Sequence, residues 1–187
     1  MTVAAGLPAA WLLARAAGLV AFGVLTLAVW LGLAMSTRIV APRFRARLLG
    51  WHRTLAWTGL SLVGLHVGAL LADPTLHFGP AAALVPFVSS WRPAAVAAGV
   101  VAGWLSLALA ASFRMRRLIG QRGWRRLHYA SFLAFVLALC HALAAGTDLA
   151  GLGGPVVAAV AGGPVLFLSL LRILTPARPR RAAVAAP

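Results

Sequence analysis

Five long apolar runs constrain the fold of this sequence more than any other feature. They cover approximately residues 16–35, 54–72, 93–113, 127–147 and 149–171. A bilayer core about 30 Å thick needs roughly 20 apolar residues per crossing helix, and each run has about that length. The runs are too long and too continuous for barrel strands, whereas helices satisfy their own backbone polar groups within lipid. The sequence therefore predicts an all-α polytopic membrane protein in which five transmembrane helices form one bundle.

The composition supports a single compact membrane domain. The 187 residues are 62% hydrophobic, and the mean hydropathy of +0.94 lies far above that of soluble domains. We expect this domain to occupy residues 1–175, with its fifth helix starting near Pro155, because proline favours the first turn of a helix. Residues 176–187 are rich in Arg and Pro and are predicted to form a short, disordered cytoplasmic tail.

The charge distribution predicts the orientation of the chain. The formal charge of +15 comes from 17 arginines, no lysine and two acids, Asp73 and Asp148. The arginines cluster between the first and second runs, between the third and fourth, and after the fifth, whereas the acids lie in the other loops. This alternation is the positive-inside pattern. It predicts a multi-pass plasma-membrane protein with its N-terminus outside and its C-terminus in the cytoplasm, and it explains the charge without a nucleic-acid partner.

A weak internal repeat relates the two halves of the chain. Three polar positions recur at one constant offset, since Ser36, Arg38 and His52 are matched by Ser112, Arg114 and His128. Each half reads as an apolar helix, an Arg-rich loop, and a second helix that starts near one histidine and contains another. We therefore expect two similar helical hairpins, with the fifth helix packed on their outside.

Four of the five histidines lie on the second and fourth runs. Fourteen positions separate His52 from His66, and thirteen separate His128 from His141. Both runs cross the membrane from inside to outside, so they are parallel. The spacing predicts two levels, His52 with His128 and His66 with His141, separated by about 20 Å at roughly 1.5 Å of rise per residue.

The two spacings differ in what they imply about helix faces. Fourteen positions bring His66 back to within about 40° of His52, so the two share a face. Gly59 lies midway on that face and would leave room for a flat ligand to approach the backbone. Thirteen positions leave His128 and His141 about 140° apart on an ideal helix. A kink, a locally tightened turn or different rotamers must correct this difference.

Two imidazoles that face each other at one depth are typical of a six-coordinate b-type haem between helices. The single Cys140 rules out the C-x-x-C-H attachment of a covalent c-type haem. Zinc would need three or four clustered ligands. The remaining alternative is four structural histidines that bond to helix backbones. Four histidines paired by depth favour two haems over that alternative.

The same residues resemble a known family. The segments W-H-R at 51–53 with His66, R-R-L-H-Y at 125–129, and C-H-A-L-A-A-G-T-D at 140–148 resemble the ferric reductase-like transmembrane domain, which ferric reductases, NADPH oxidases and smaller bacterial relatives share. That family holds two haems between two parallel helices with the same histidine spacings. The resemblance implies that His52 and His128 bind an inner haem iron, and that His66 and His141 bind an outer one.

The sequence departs from this family in two respects. The reductases and oxidases carry a cytoplasmic flavin and NADPH domain after the last helix, and often six spans. This chain has five predicted spans and no dinucleotide-binding glycine fingerprint on a strand–helix unit. We therefore expect a separate cytoplasmic flavoprotein reductase, a bound flavin or a quinol to supply electrons.

Four arginines are candidates for contacts with haem propionates. Arg15 and Arg92 lie near the outer level, and Arg53 and Arg126 lie near the inner one. A guanidinium binds a carboxylate through two charge-assisted hydrogen bonds. The alternative for the outer pair is snorkelling to the membrane interface. Charge that sets topology explains the other arginines of the inner clusters.

These observations predict transmembrane electron transfer through two b-type haems, from a cytoplasmic or quinol donor to an acceptor on the outer face. The chain would then be an oxidoreductase component that needs a separate electron-donating partner. A haem-containing, quinol-linked membrane anchor of a partner oxidoreductase is the second hypothesis. A haem-free small transporter or membrane scaffold is the third.

Overall fold

The computed structural model describes residues 9–37, 39–147 and 151–175, and the regular structure in these ranges is entirely helical. The helices are α1 (Ala9–Ser36), α2 (Pro42–Ala72), α3 (Pro80–Leu84), α4 (Pro93–His128), α5 (Ala130–Ala145) and α6 (Gly153–Leu174). Proline opens α2, α3 and α4, where its missing N–H costs nothing and its fixed φ suits a helix start. The prediction of an all-α protein is confirmed. The predicted tail at 176–187 lies outside the described residues.

Four helical stretches of the described chain are long and apolar enough to cross a membrane. They are Ala9–Ser36, Pro42–Ala72, Pro93–Ala145 and Gly153–Leu174. These stretches correspond to the predicted apolar runs, except that the third and fourth runs fall within one continuous stretch of 53 residues. The lengths support a chain that lies within a lipid bilayer.

The 53-residue stretch is not straight, because Gly120 interrupts it. Gly120 has φ 71° and ψ 163°, outside the helical region, and glycine adopts a positive φ without steric cost. A straight helix would hold Ala95 and His141 about 70 Å apart. The His141 Nδ1 atom is instead 2.9 Å from the Ala95 carbonyl oxygen. The chain therefore reverses at Gly120, and residues 121–145 run back alongside the first part of α4.

Small residues bring α1 and α2 close together as the first hairpin. Ala14, Ala17, Ala21 and Ala28 are buried on α1, and such residues let helix backbones approach within a membrane. On α2, Gly59 is buried, and a Cβ atom built there would lie 2.5 Å from Leu25 Cγ. A side chain at position 59 would therefore push the two helices apart.

The last helix, α6, packs on α1 and α5. Leu33 of α1, Phe135 of α5, and Ala161 and Val165 of α6 form one buried apolar cluster. The Trp30 indole of α1 also donates a hydrogen bond of 3.2 Å to the Ala161 carbonyl oxygen. The last helix of the described chain therefore packs against helices of both hairpins.

Candidate functional site

The four histidines on α2, α4 and α5 meet in the two pairs that their spacing predicts. The ring centroids of His52 and His128 are 6.2 Å apart, with 69° between the ring planes. Those of His66 and His141 are 6.3 Å apart, with 77° between the planes. The two pairs lie at two depths, since their members on α2 are about four helical turns apart along one helix. After the orientation that the arginine pattern predicts, the His52–His128 pair is named the inner pair and the His66–His141 pair the outer pair.

Helix α1 fixes both histidines of α2 by hydrogen bonds to its backbone. The Nδ1 atom of His52 is 2.8 Å from the Ala28 carbonyl oxygen, and that of His66 is 2.7 Å from the Ala14 carbonyl oxygen. A carbonyl oxygen only accepts hydrogen bonds, so Nδ1 carries the proton in each ring. The Nε2 atom then keeps its lone pair, which is the form of imidazole that ligates metals.

The outer histidine of α5 is held in the same way by α4. His141 Nδ1 lies 2.9 Å from the Ala95 carbonyl oxygen. The outer pair is therefore symmetric: each imidazole bonds to the preceding helix of its own hairpin. This arrangement realises the internal repeat in three dimensions.

Glycines make the close approach of these imidazoles possible. A Cβ atom built at Gly18 would lie 2.8 Å from His66 Nδ1, and one at Gly32 would lie 3.3 Å from His52 Cε1. At Gly99 the distance to His141 Nδ1 would be 2.5 Å. Any side chain at Gly18 or Gly99 would displace the ring from its carbonyl partner.

His128 is the exception among the four. Its Nδ1 atom is buried and has no hydrogen-bond partner. The Trp124 indole stacks on its ring instead, with centroids 5.0 Å apart and 25° between the planes. The inner pair is therefore asymmetric, with one ring held by a carbonyl and the other by an aromatic stack.

The irregular turn at Tyr129 explains part of the shorter spacing between His128 and His141. Helix α4 ends at His128 and α5 begins at Ala130. The Tyr129 N–H bonds to the Arg126 carbonyl oxygen, and the Phe132 N–H bonds to the Tyr129 carbonyl oxygen, both at 3.1 Å. These three-residue bonds belong to the 3₁₀ type, which turns further per residue than the α-helix. The tightened turn thus supplies part of the missing rotation between the two histidines.

The geometry of both pairs fits a metal ion held between two imidazoles. A metal–nitrogen distance of about 2 Å on each side places the ring centroids about 6 Å apart, which both pairs match. Among the described residues, no three or more His, Cys, Asp or Glu side chains form a metal-holding group. Backbone-bonded histidines were the alternative prediction, and three of the four do bond to a backbone. That bond occupies one ring nitrogen and leaves the other for a ligand.

The structure gives the other predicted site residues partners of their own. Gly59 faces Leu25 rather than open space, so its observed role is α1–α2 packing. The Arg15 guanidinium lies 4.0 Å from the centre of the Trp11 ring. Arg92 donates to the Ala144 carbonyl oxygen and lies over Trp91 at 5.0 Å.

The two inner arginines lie near the inner pair but differ in their contacts. The Arg53 guanidinium lies 5.6 Å from the centre of the Phe113 ring. Arg126 is exposed and precedes His128 by two positions. Their contacts with haem carboxylates stay predictions, as do those of the outer arginines.

Sequence reasoning missed the glycines and the tryptophan that support the histidines. A signal was present, because Gly18 and Gly32 are separated by the same interval as His52 and His66. Two antiparallel helices that meet at two levels must repeat the same spacing on both partners. Trp124 had no comparable signal beyond its position one turn before His128.

A groove of about 450 Å³ lies along α2 and is lined by Gly50, Arg53, Thr54, Trp57 and Thr58. Thr54 follows His52 by two positions, which turns it by about 200° around the helix axis. The groove therefore opens on the side of α2 away from the histidine pairs.

A short turn terminates α2 beyond the outer pair. The Asp73 carboxylate accepts hydrogen bonds from the Thr75 N–H at 2.8 Å and from the Thr75 hydroxyl at 2.6 Å. The hydroxyl bond is the main reason that the pKa of Asp73 lies below its ordinary value. Asp73 is therefore ionised at neutral pH and fixes the exit of the chain from α2.

Comparison with known proteins finds no relative of this chain. No family model matches the chain, and neither a curated protein nor a solved structure is significantly similar to it. The assignment of the site therefore depends on the paired imidazoles and their supporting contacts.

Proposed function

We propose that this chain conducts electrons across a membrane through two b-type haems. His52 and His128 would hold one haem, and His66 and His141 the other. The observation that carries the proposal is the distance between the imidazole ring centroids, which is 6.2 Å in one pair and 6.3 Å in the other. Each haem would supply an iron that takes up and gives up one electron, and the two histidines of each pair would hold it.

The chain's own residues prepare these ligands. The Ala14, Ala28 and Ala95 carbonyls select the ring tautomer with a free Nε2 atom and make that nitrogen more basic. The apolar helices around the pairs limit water access, which stabilises the less charged state of an iron centre. With two protein ligands on each iron, direct binding of oxygen to iron is disfavoured.

The topology of the proposal has five crossings, because the reversal at Gly120 divides the longest helical stretch into two antiparallel segments. The arginine-rich segments lie on the cytoplasmic side by the positive-inside rule. The His52–His128 level is then the inner one and the His66–His141 level the outer one. Electrons would pass from a cytoplasmic flavoprotein or a quinol to an acceptor outside, such as a ferric chelate, oxygen or a partner protein.

The histidines can be tested by measuring haem content. Protein purified after haem-supplemented expression should carry about two non-covalent b haems per chain, with low-spin bis-histidine spectra. His77→Ala is the matched control, since His77 is exposed and its Nδ1 atom lies 3.1 Å from the nearby Thr75 carbonyl oxygen. This variant should keep both haems.

A wild-type haem content near zero would overturn the proposal and favour the haem-free transporter or scaffold. If both haems are present, external reduction has to be tested as well. Failure to reduce any external acceptor, together with reduction of the haems by a quinol, would favour the membrane-anchor hypothesis.

The orientation has its own test. Reporter fusions after Arg47, Gln121 and Pro187 should lie in the cytoplasm, and a fusion at Gly79 should lie outside. A cytoplasmic signal at Gly79 would reverse the proposed direction of electron flow.

A further inference from the structure

Two buried polar atoms without partners lie side by side at the inner level. One is the Nδ1 atom of His128 and the other is the indole Nε1 atom of Trp124. The two rings are stacked with centroids 5.0 Å apart. Native proteins seldom leave a buried N–H group unpaired, because its lost hydration is not replaced. This place in the fold therefore calls for a hydrogen-bond acceptor.

The sequence of α4 explains why its backbone does not supply that acceptor. On α1, the His66 ring packs against Gly18 and the His52 ring packs against Gly32. At about the same interval along α4 beyond Gly99, Ser112 and Phe113 stand in place of a second glycine. The Phe113 ring lies edge-on to Trp124, with centroids 6.2 Å apart. Aromatic packing thus replaces the carbonyl bond at this fourth position.

The part of the chain that the structure describes also offers no acidic side chain at the inner level. The chain's two acids, Asp73 and Asp148, both follow the outer histidines in sequence. Cations are present instead, since the Arg53 and Arg116 guanidinium groups lie 5.6 Å and 5.2 Å from the centre of the Phe113 ring. Two buried N–H donors and two nearby cations form surroundings that favour an anionic acceptor.

A haem between His52 and His128 would bring such an acceptor, because protohaem carries two carboxylates on its edge. Ligation of iron through Nε2 also leaves the hydrogen of His128 on Nδ1, so that both unpaired atoms are donors. The indole N–H is the better placed of the two to reach past the ligating ring. It lies one helical turn nearer than His128 to the cytoplasmic end of this segment.

We propose that Trp124 positions the inner haem in two ways, and this inference rests on the proposed function. Its ring orients the His128 imidazole by stacking, and its indole N–H donates a hydrogen bond to a haem carboxylate. Trp124 is thus a positioning residue of the inner site, and within residues 9–37, 39–147 and 151–175 no aromatic ring stacks on His66 or His141 in the same way.

The two contributions can be separated by substitution. Trp124→Phe keeps an aromatic ring and removes the N–H donor, whereas Trp124→Leu removes both. The matched control is Trp104→Phe, which removes an indole N–H that bonds to the Leu84 carbonyl oxygen at 2.9 Å, away from the histidine pairs. Each protein is loaded with protohaem or with iron etioporphyrin, which lacks carboxylates. The release of each haem is then timed with an excess of a haem-scavenging apoprotein.

With protohaem, Trp124→Phe should release one haem roughly tenfold faster than wild type, as expected for a lost hydrogen bond to a charged group. With iron etioporphyrin, the same substitution should change nothing. Trp124→Leu should also alter the low-spin electron paramagnetic resonance signal of that haem, because the His128 ring is no longer oriented. Trp104→Phe should match wild type throughout.

The outcomes distinguish this inference from the proposed function. If the purified wild-type protein contains no haem, both the proposed function and this inference are overturned. Two haems in wild type, with unchanged release from Trp124→Phe, would overturn the inference alone, as would equal acceleration with both porphyrins. If the variants do not fold, resonance Raman spectra of wild type decide. The position of the tryptophan band that reports indole hydrogen bonding must shift when protohaem binds. It must not shift when iron etioporphyrin binds.

Discussion

The outer and inner histidine levels reach nearly the same geometry by different means. The ring centroids are 6.3 Å apart at the outer level and 6.2 Å apart at the inner level. At the outer level both rings bond to helix carbonyls, whereas at the inner level one ring bonds to a carbonyl and the other stacks on Trp124. The packing of the helices thus sets the separation of each pair, and local contacts set the orientation of each ring.

The difference arises from the two hairpins. Helix α1 carries two sites where a glycine follows an accepting alanine by four positions, Ala14 with Gly18 and Ala28 with Gly32. Helix α4 carries one, Ala95 with Gly99. A weak sequence repeat can therefore preserve the pairing of the imidazoles while the contacts behind the histidines diverge.

Substitution of a histidine in either pair should have the largest effect on the difference between the two levels. His66→Ala or His141→Ala should abolish the outer haem and leave the inner one, because the levels are about 20 Å apart. His52→Ala or His128→Ala should do the reverse. Some loss of stability should accompany each change, since a bound cofactor stabilises the native state. Haem content and low-spin spectra of the purified variants measure the effect.

Double substitutions test the pairing itself. His52→Ala combined with His128→Ala should leave one haem, whereas His52→Ala combined with His141→Ala should leave none. If the second combination retained one haem, the pairing by depth would be wrong and a crossed pairing would replace it.

Substitution of the supporting glycines should give the next largest effect, and a graded one. Gly99→Ala and Gly18→Ala place a methyl group 2.5 Å and 2.8 Å from the imidazole, whereas Gly32→Ala places it at 3.3 Å. Overpacking of this kind costs about 1–3 kcal/mol, and loss of the carbonyl bond lowers metal affinity by roughly 10–100-fold. The outer haem should therefore be lost more readily than the inner one.

Matched controls exist on the same helices. Gly23 on α1 and Gly103 on α4 have no neighbouring atom within 4 Å of a built Cβ atom. Gly23→Ala and Gly103→Ala should leave haem affinity at the wild-type level. Equal effects at the control and test positions would show that the glycines act through general helix packing.

The sequence predicts the helical elements and the pairing of the histidines well, because length, hydropathy and spacing are local properties. The apolar runs locate the helices, and the interval from His52 to His66 locates two levels. The contacts that support the ligands depend on how α1 and α4 dock, which no single helix encodes. Gly59 shows the limit: its helix face was predicted to approach a ligand, but Leu25 of α1 occupies that space.

The two haems should also differ in redox potential, which is a smaller effect. A carbonyl bond at Nδ1 makes an imidazole a stronger donor and favours ferric iron. His128 lacks this bond, so the inner haem should have the more positive midpoint potential, by an amount on the order of tens of millivolts. Potentiometric titration should resolve two waves, and His66→Ala, which keeps the inner haem, should retain only the more positive one. Coincident waves would show that the two levels are electronically equivalent.

The smallest effect is an additional acid sensitivity of the outer level, beyond the protonation of histidine ligands that both levels share. The Thr75 hydroxyl lowers the pKa of Asp73 below its ordinary value of 3.8. The ionised carboxylate therefore stabilises the folded state above that value, and this contribution is lost as the pH falls through the lower pKa of the folded protein. The segments at the inner level contain no acid, so acid should weaken the inner haem only through protonation of its histidine ligands, which both levels share. Measured relative to the inner haem, outer-haem retention in wild type should fall as the pH drops below 3.8. Thr75→Val removes the main cause of the lowered pKa and should weaken this fall. Asp73→Asn should abolish it, while His77→Ala controls for the nearby imidazole. An unchanged profile in Asp73→Asn would show that the acid sensitivity of the outer level has another source.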